Sequence, residues 1–172
     1  MLFRSADMAR TTDLLSNGRF VLGIGSGWFE RDYTEYGYEF GTAPERLRAL
    51  RRDLPLIQER LAKLTPAPKG PLPILIGGSG EKVTLKIVAE FADAWNTFGP
   101  PEHFAAKNAV LDDWCAKLGR DPREIERTVA IGAHEVDDWE RFIEAGADHL
   151  IVMTDHPFDL EPVERLLAAV RA

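Results

Sequence analysis

The run Ile74-Leu75-Ile76-Gly77-Gly78-Ser79-Gly80-Glu81-Lys82-Val83-Thr84 is the stretch best suited to chemistry. Its pattern is a short buried strand that ends in glycines, followed at once by a helix. Glycine lets a backbone approach an oxyanion closely. The unpaired N–H groups and the dipole at a helix start favour a phosphate, and Ser79 and Thr84 add hydroxyl donors. On spacing alone two readings stand: a phosphate cradle made by Gly77, Gly78, Ser79 and Gly80, or a tight strand-to-helix turn and nothing more.

A second glycine cluster, Gly23-Ile24-Gly25-Ser26-Gly27-Trp28, also ends an apolar run. It is not a dinucleotide fingerprint, because no helix opens directly from it. An aromatic loop follows, with Trp28, Phe29, Tyr33, Tyr36, Tyr38 and Phe40. Such a loop either covers a flat aromatic ligand or buries its own rings. The third place is Asp93-Ala94-Trp95-Asn96-Thr97. In a strand Trp95 and Thr97 share one side and Asn96 faces the other. Trp95 suits the core, and Asn96 is the better site candidate because buried amides need partners. The acidic run Glu30, Asp32 and Glu35 reads as a solvated face.

None of the four histidines, His103, His134, His149 and His156, is paired at a metal-binding interval, and there is one cysteine, so no metal site is expected. His156 follows the last strand and reads as a solvated loop residue. Cys115 reads as a core thiol. There is neither a serine-nucleophile elbow nor a P-loop.

The elements that position these residues alternate. Helix is expected over 1–16, stopped by Asn17-Gly18. Strand follows over 20–25. A long helix lies within 41–64, opened by a capping box of Thr42 and Glu45 with Pro44 in its first turn, and carrying Leu47, Leu50, Leu54, Ile57 and Leu61 on one face. Pro55 should kink it. After a proline-rich surface loop, 65–73, come strand 73–76 and helix 80–91, with Val83, Ile87, Val88 and Phe91 inward. Strand 94–98, helix 101–118 on Phe104, Leu111, Cys115 and Leu118, strand 127–132 and helix 137–145 follow. The chain closes with a fully buried strand, 149–154, and a helix facing inward through Leu160, Val163, Leu166, Leu167 and Val170. Five strands with intervening helices predict a parallel sheet wrapped by helices, in an open doubly wound form or a barrel. A full barrel has eight strands, so a five-stranded one is incomplete, with edges open to self-association or to a complementing chain.

The 172 residues, 45% hydrophobic and 28% charged, suffice for a single domain over 1–172. A net charge of −7 argues against nucleic acid or an anionic membrane as partner. No apolar run reaches the length of a membrane span, no secretory core follows Met1, and a lone cysteine fits a reducing cytosol. The expected location is cytoplasmic.

The stretch from Leu14 through Ser16-Asn17-Gly18-Arg19-Phe20 to Gly25-Ser26-Gly27-Trp28 resembles the central signature of the bacterial luciferase-like flavin and deazaflavin oxidoreductases. So does the run Glu35-Tyr36-Gly37 with Arg46 and Leu47. Residues 73–84 resemble the family's second signature and Ala92-Asp93-Ala94-Trp95-Asn96 its third, while Gly119-Arg120-Asp121-Pro122 with Ile125 matches a further loop. The matches run in family order over nearly the whole chain. The resemblance implies an α/β fold of parallel TIM-barrel type, of which this is the C-terminal part with about five of eight strands. It implies a small-molecule substrate and a reduced flavin-type cofactor, coenzyme F-420 favoured and FMN the alternative. Residue by residue, Gly77, Gly78, Ser79, Gly80 and Thr84 fall on the cofactor-phosphate loop, and Gly25, Ser26, Gly27, Trp28 and Asn96 at strand ends facing the ring or substrate cavity. The family's first three strands, which supply much of the ring pocket and its acid–base candidates, have no counterpart here, and residues 131–139 are shortened, so no catalytic residue is named. Two functions follow: a flavin-type monooxygenase or reductase, or a non-catalytic truncated barrel that binds cofactor or a partner chain without turnover.

Overall fold

The computed structural model describes residues 2–171. Helices and strands alternate along it, and five strands lie in one sheet in chain order. The chain divides into two compact units, Met1–Ile76 and Gly77–Ala172.

The first unit is built on α1 (Leu2–Leu15), β1 (Leu22–Ile24), α2 (Glu30–Glu35), α3 (Ala43–Lys63) and β2 (Ile74–Gly77), whose last residue falls in the second unit. β1 and β2 pair in parallel, Leu22 opposite Ile74 and Ile24 opposite Ile76. Helix α1 packs on α3, burying Ala6 and Ala9 with Leu50, Leu54 and Ile57. The capping box at the start of α3 is present: the Glu45 N–H donates to Thr42 Oγ1, and the Thr42 N–H donates to Glu45 Oε2 at 2.8 Å. That second bond, with the Thr42 hydroxyl, holds the Glu45 carboxyl below its ordinary range. The helix continues through Pro55.

Asp13 fastens α1 to the proline-rich loop. Its carboxylate is fully buried, and Oδ2 accepts from the N–H groups of Lys69 at 2.6 Å and Gly70 at 3.0 Å. Asn17 and Gly18, at φ 60° and 81°, end α1 in the left-handed region as the helix-stop pattern requires. Gly18 and Gly70 then touch backbone to backbone, with no room for a side chain between them.

The second unit holds α4 (Thr84–Phe91), β3 (Ala94–Phe98), α5 (Pro101–Leu118), β4 (Glu126–Gly132), α6 (Trp139–Glu144), β5 (His149–Met153) and α7 (Glu161–Arg171), with short 3-10 turns at Pro122–Glu124 and Ala133–Asp138. β3, β4 and β5 pair in parallel, Asn96 opposite Thr128 and Thr128 opposite His149. Leu85, Ile87, Val88, Trp95, Phe104, Leu111, Val129, Ile131 and Phe142 make its core. Cys115 is part of that core, and burial pushes its thiol up, away from the reactive thiolate. Arg127 is buried at the start of β4 and donates to Asp112 Oδ1 at 2.8 Å; burial pulls its pKa down and the Asp112 charge opposes that.

Several expectations are corrected. The first strand is three residues long, not six. Helix α4 begins at Thr84 rather than Gly80, because residues 81–83 form a turn that leaves Val83 44% exposed. Ile87 and Val88 are buried on α4 as expected, joined by Thr84, Leu85 and Ala89, while Phe91 is only half-buried. Leu118 lies in the last turn of α5 and is exposed. Strand β5 is not fully buried: Ile151 is 37% and Met153 46% exposed. Of the apolar face of α7 only Leu166, with Pro162, is buried, while Leu160, Leu167 and Val170 are exposed. The periodicity is correct in α7, but it shows which residues share a face and not whether anything covers it. Helix α2 lies on the acidic run expected to be a solvated face, and it buries none of its residues.

Candidate functional site

Residues 77–80 leave the carboxyl end of β2, the end of a parallel sheet at which barrel enzymes place their sites. Gly78 has φ 122°, a conformation that side-chain-bearing residues rarely adopt. Both hydrogen-bonding groups of Gly78 are tied to β3. Its N–H donates to the Asn96 carbonyl at 3.0 Å, and its carbonyl accepts from the Trp95 indole N–H at 2.7 Å. Trp95 is fully buried and stacks on Phe104 of α5, ring centroids 5.4 Å apart and planes 14° from parallel. Thr84, itself buried, fills the space beneath the loop. A Cβ on Gly78 would meet its methyl at 3.2 Å, and a Cβ on Gly80 would meet its hydroxyl at 2.7 Å. A Cβ on Gly77 would meet nothing within 4 Å.

The turn between this loop and α4 is anchored on α5. The Trp114 indole donates to the Glu81 carbonyl at 2.7 Å, and Lys107 pairs with the Glu81 carboxylate at 2.6 Å, holding that carboxyl below its ordinary range. Val83, at the N-cap of α4, supplies no side-chain acceptor. Asn96 lies in the middle of β3 rather than at the strand end where it was expected; it is half-buried, and its Oδ1 accepts from the Thr128 hydroxyl at 2.7 Å. The amide partner that Asn96 was expected to need is therefore the neighbouring strand, and its backbone carbonyl is what serves the loop. Gly77, Gly78, Ser79, Gly80, Thr84 and Asn96 are thus brought together.

Gly25, Ser26, Gly27 and Trp28 belong to the other unit. Arg46 of α3 organises their loop. It donates to the Gly27 carbonyl at 3.2 Å and the Gly41 carbonyl at 2.9 Å, and its guanidinium lies 3.7 Å from the centre of the Phe40 ring. Tyr33 packs edge-on against Phe40. Part of the aromatic loop therefore packs on itself, with Tyr33 and Phe40 half-buried, while Trp28, Phe29, Tyr36 and Tyr38 stay exposed. Gly27 has φ 76°, and a Cβ there would lie 2.0 Å from the Tyr33 hydroxyl. Gly27→Ala should displace Tyr33 from Phe40 and lower stability by about 1–2 kcal/mol. A thermal melt that coincides with wild type would show the loop adapts without cost.

His156 lies in the loop after β5, in edge contact with Phe158. Among the described residues no group of three or more His, Cys, Asp or Glu could hold a metal ion, and no helix is long and apolar enough to cross a membrane. Sequence reasoning placed Trp95 in the core, where it is, but missed its bond to the loop. The only signal in the sequence was that a buried indole N–H needs an acceptor, without any indication of which one.

The profile of one protein family, described as luciferase-like monooxygenase, matches residues 3–170. The chain belongs to that family. Its members are oxidoreductases and monooxygenases. Among curated proteins it is 27% identical over 169 residues to the pyrimidine monooxygenase RutA of Agrobacterium fabrum, a match covering 83% of this chain and 46% of RutA. The chain thus spans about half the length of that relative. Among solved structures it superposes on an F-420-dependent secondary alcohol dehydrogenase in complex with an F-420-acetone adduct, with TM-score 0.79, 17% identity, and coverage of 98% of this chain and 76% of that one. The coenzyme F-420 dependent tetrahydromethanopterin reductase of Methanopyrus kandleri gives TM-score 0.72 at 14% identity, covering 95% and 76%. The family's fold is therefore also that of this chain: α/β with a parallel sheet of TIM-barrel type.

Proposed function

We propose that this chain, read as one domain over 1–172, is part of an oxidoreductase that works on a small molecule with a reduced flavin-type cofactor, coenzyme F-420 in preference to FMN. The observation that carries the reading is the 77–80 loop, whose Gly78 peptide groups are held by β3 while the Ser79 N–H has no hydrogen-bond partner among the described residues. An orphan backbone donor in a glycine loop, where nothing blocks close approach, suits a phosphate oxygen. The residues present fit such a group: Gly77 leaves open space where a Cβ would stand, and the carboxylate that follows the loop, Glu81, is paired with Lys107.

In this reading Gly77, Gly78, Ser79 and Gly80 hold the phosphate, with the Thr84 hydroxyl at the base of the loop. Asn96 fixes the loop from β3, and Gly25, Ser26, Gly27 and Trp28 serve the ring or the substrate. The bound cofactor supplies hydride transfer or oxygen activation, and the protein orients and shields it. The preference for the deazaflavin rests on the likeness of the chain's signatures to deazaflavin-using members. RutA, a monooxygenase, supports the family's oxygen chemistry as the alternative. The exposed Ile151 and Met153 on β5 favour a covering by further chain, either another copy or a complementing one.

Titration of the purified protein with coenzyme F-420 and with FMN, followed by fluorescence, tests the reading. Saturable binding of one of them, tighter than that of its dephosphorylated form, is the expected result. Binding of neither leaves the non-catalytic alternative.

A further inference from the structure

We propose that Trp95 is the positioning residue of the phosphate loop, acting through the Gly78–Ser79 peptide. This rests on the reading of the loop as a phosphate site. A trans peptide carries its C=O and the following N–H on opposite sides of one rigid plane. The Trp95 indole N–H holds the Gly78 carbonyl at 2.7 Å. The Ser79 N–H must therefore point the opposite way, out of the core. On the other side of Gly78, the N–H is held by the Asn96 carbonyl at 3.0 Å. Two consecutive residues of one strand, Trp95 and Asn96, thus fix the peptide planes before and after Gly78. They do so at a φ of 122°, where glycine alone is free to turn and an unheld peptide would rotate readily.

The indole is itself held. Trp95 is fully buried and its ring lies flat on Phe104, so its N–H has one direction available. Residue 95 is therefore a bicyclic spacer that carries a single donor up to the loop. Its effect on an anion is indirect: it touches none, but it decides whether the Ser79 N–H faces one. Preorganised donors of this kind act without reorganising when the charge arrives.

The experiment compares wild type with Trp95→Phe, and with a protein carrying benzothienylalanine at position 95, which keeps the bicyclic shape and replaces only the N–H. Each is titrated with two ligand pairs that differ by their phosphate: FMN against riboflavin, and coenzyme F-420 against its dephosphorylated deazaflavin core. In wild type the phosphorylated member should bind more tightly. In both variants that advantage should fall about tenfold, the loss of one well-placed donor to a charged group, while the phosphate-free member binds as before. A variant that keeps the full advantage overturns the role of Trp95. So does an equal loss for both members of a pair, because general damage to the core would produce it. If wild type shows no advantage for the phosphorylated member of either pair, the phosphate reading of the loop falls first and the role of Trp95 falls with it.

Discussion

Gly78→Val is expected to weaken binding of the phosphorylated cofactor by more than a hundredfold while leaving the protein folded. A valine is badly strained at φ 122°, the more so because its Cβ is branched. Its Cβ would already lie 3.2 Å from the Thr84 methyl before the two γ carbons are added. The backbone must rotate to relieve this, and rotation breaks the bonds to the Asn96 carbonyl and the Trp95 indole together. With those gone, nothing aims the loop's donors at an anion. A hydrogen bond to a charged group contributes about 1.5–3 kcal/mol, or roughly tenfold to a hundredfold in affinity, and this change disturbs several at once. Ser79→Ala removes one hydroxyl and should cost about tenfold, the low end of that range. Titration of each variant with coenzyme F-420 and FMN, beside circular dichroism as a folding control, decides it. Wild-type affinity in Gly78→Val would mean that the loop is only a turn.

Gly70→Ala should lower the stability of the protein by about 3 kcal/mol, with no site residue touched. The added Cβ would lie 2.3 Å from the Gly18 carbonyl oxygen and 2.9 Å from the Gly18 carbonyl carbon and Cα. These are backbone atoms at a helix end, so no side chain can swing aside. The two segments must separate, and the Asp13 carboxylate, which holds the N–H groups of Lys69 and Gly70, loses its grip. That carboxylate is fully buried, and its second oxygen already lacks a partner among the described residues. Overpacking alone costs about 1–3 kcal/mol, and unpairing a buried charge adds to it. For a chain of this size about 3 kcal/mol corresponds to roughly a 10 °C fall in melting temperature. Gly37→Ala is the control: its φ of 70° is also positive, but a Cβ there meets nothing within 4 Å, so its cost is conformational and near 1 kcal/mol. Equal melting of the two variants would show that the approach of Gly18 to Gly70 carries no weight.

Much of the fold was legible because it is written in spacings of a few residues. The alternation of strands and helices along the chain, and the long helix with its capping box at Thr42 and Glu45, needed no knowledge of distant parts of the chain. The glycines at 77–80 were visible for the same reason: a strand ending in glycines before a helix is a local pattern. The side on which Asn96 faces followed from the two-residue period of a strand.

What the tertiary structure decided joins residues far apart in sequence. Val83 fits the apolar period of its helix but lies in the preceding turn, which is anchored to Trp114, 33 residues from Glu81. Strand β5 reads as buried from its composition, yet exposure depends on what packs against it, and Ile151 and Met153 are open. The proline-rich loop looks unremarkable until Asp13 reaches Gly70, 57 positions away. Trp95 meets Gly78 across 17 residues, through a strand pairing and a ring stack that no local rule specifies. Periodicity and capping are properties of neighbours along the chain, so the sequence alone determines them; the direction of a buried donor depends on the packing around it, and only the folded chain sets that.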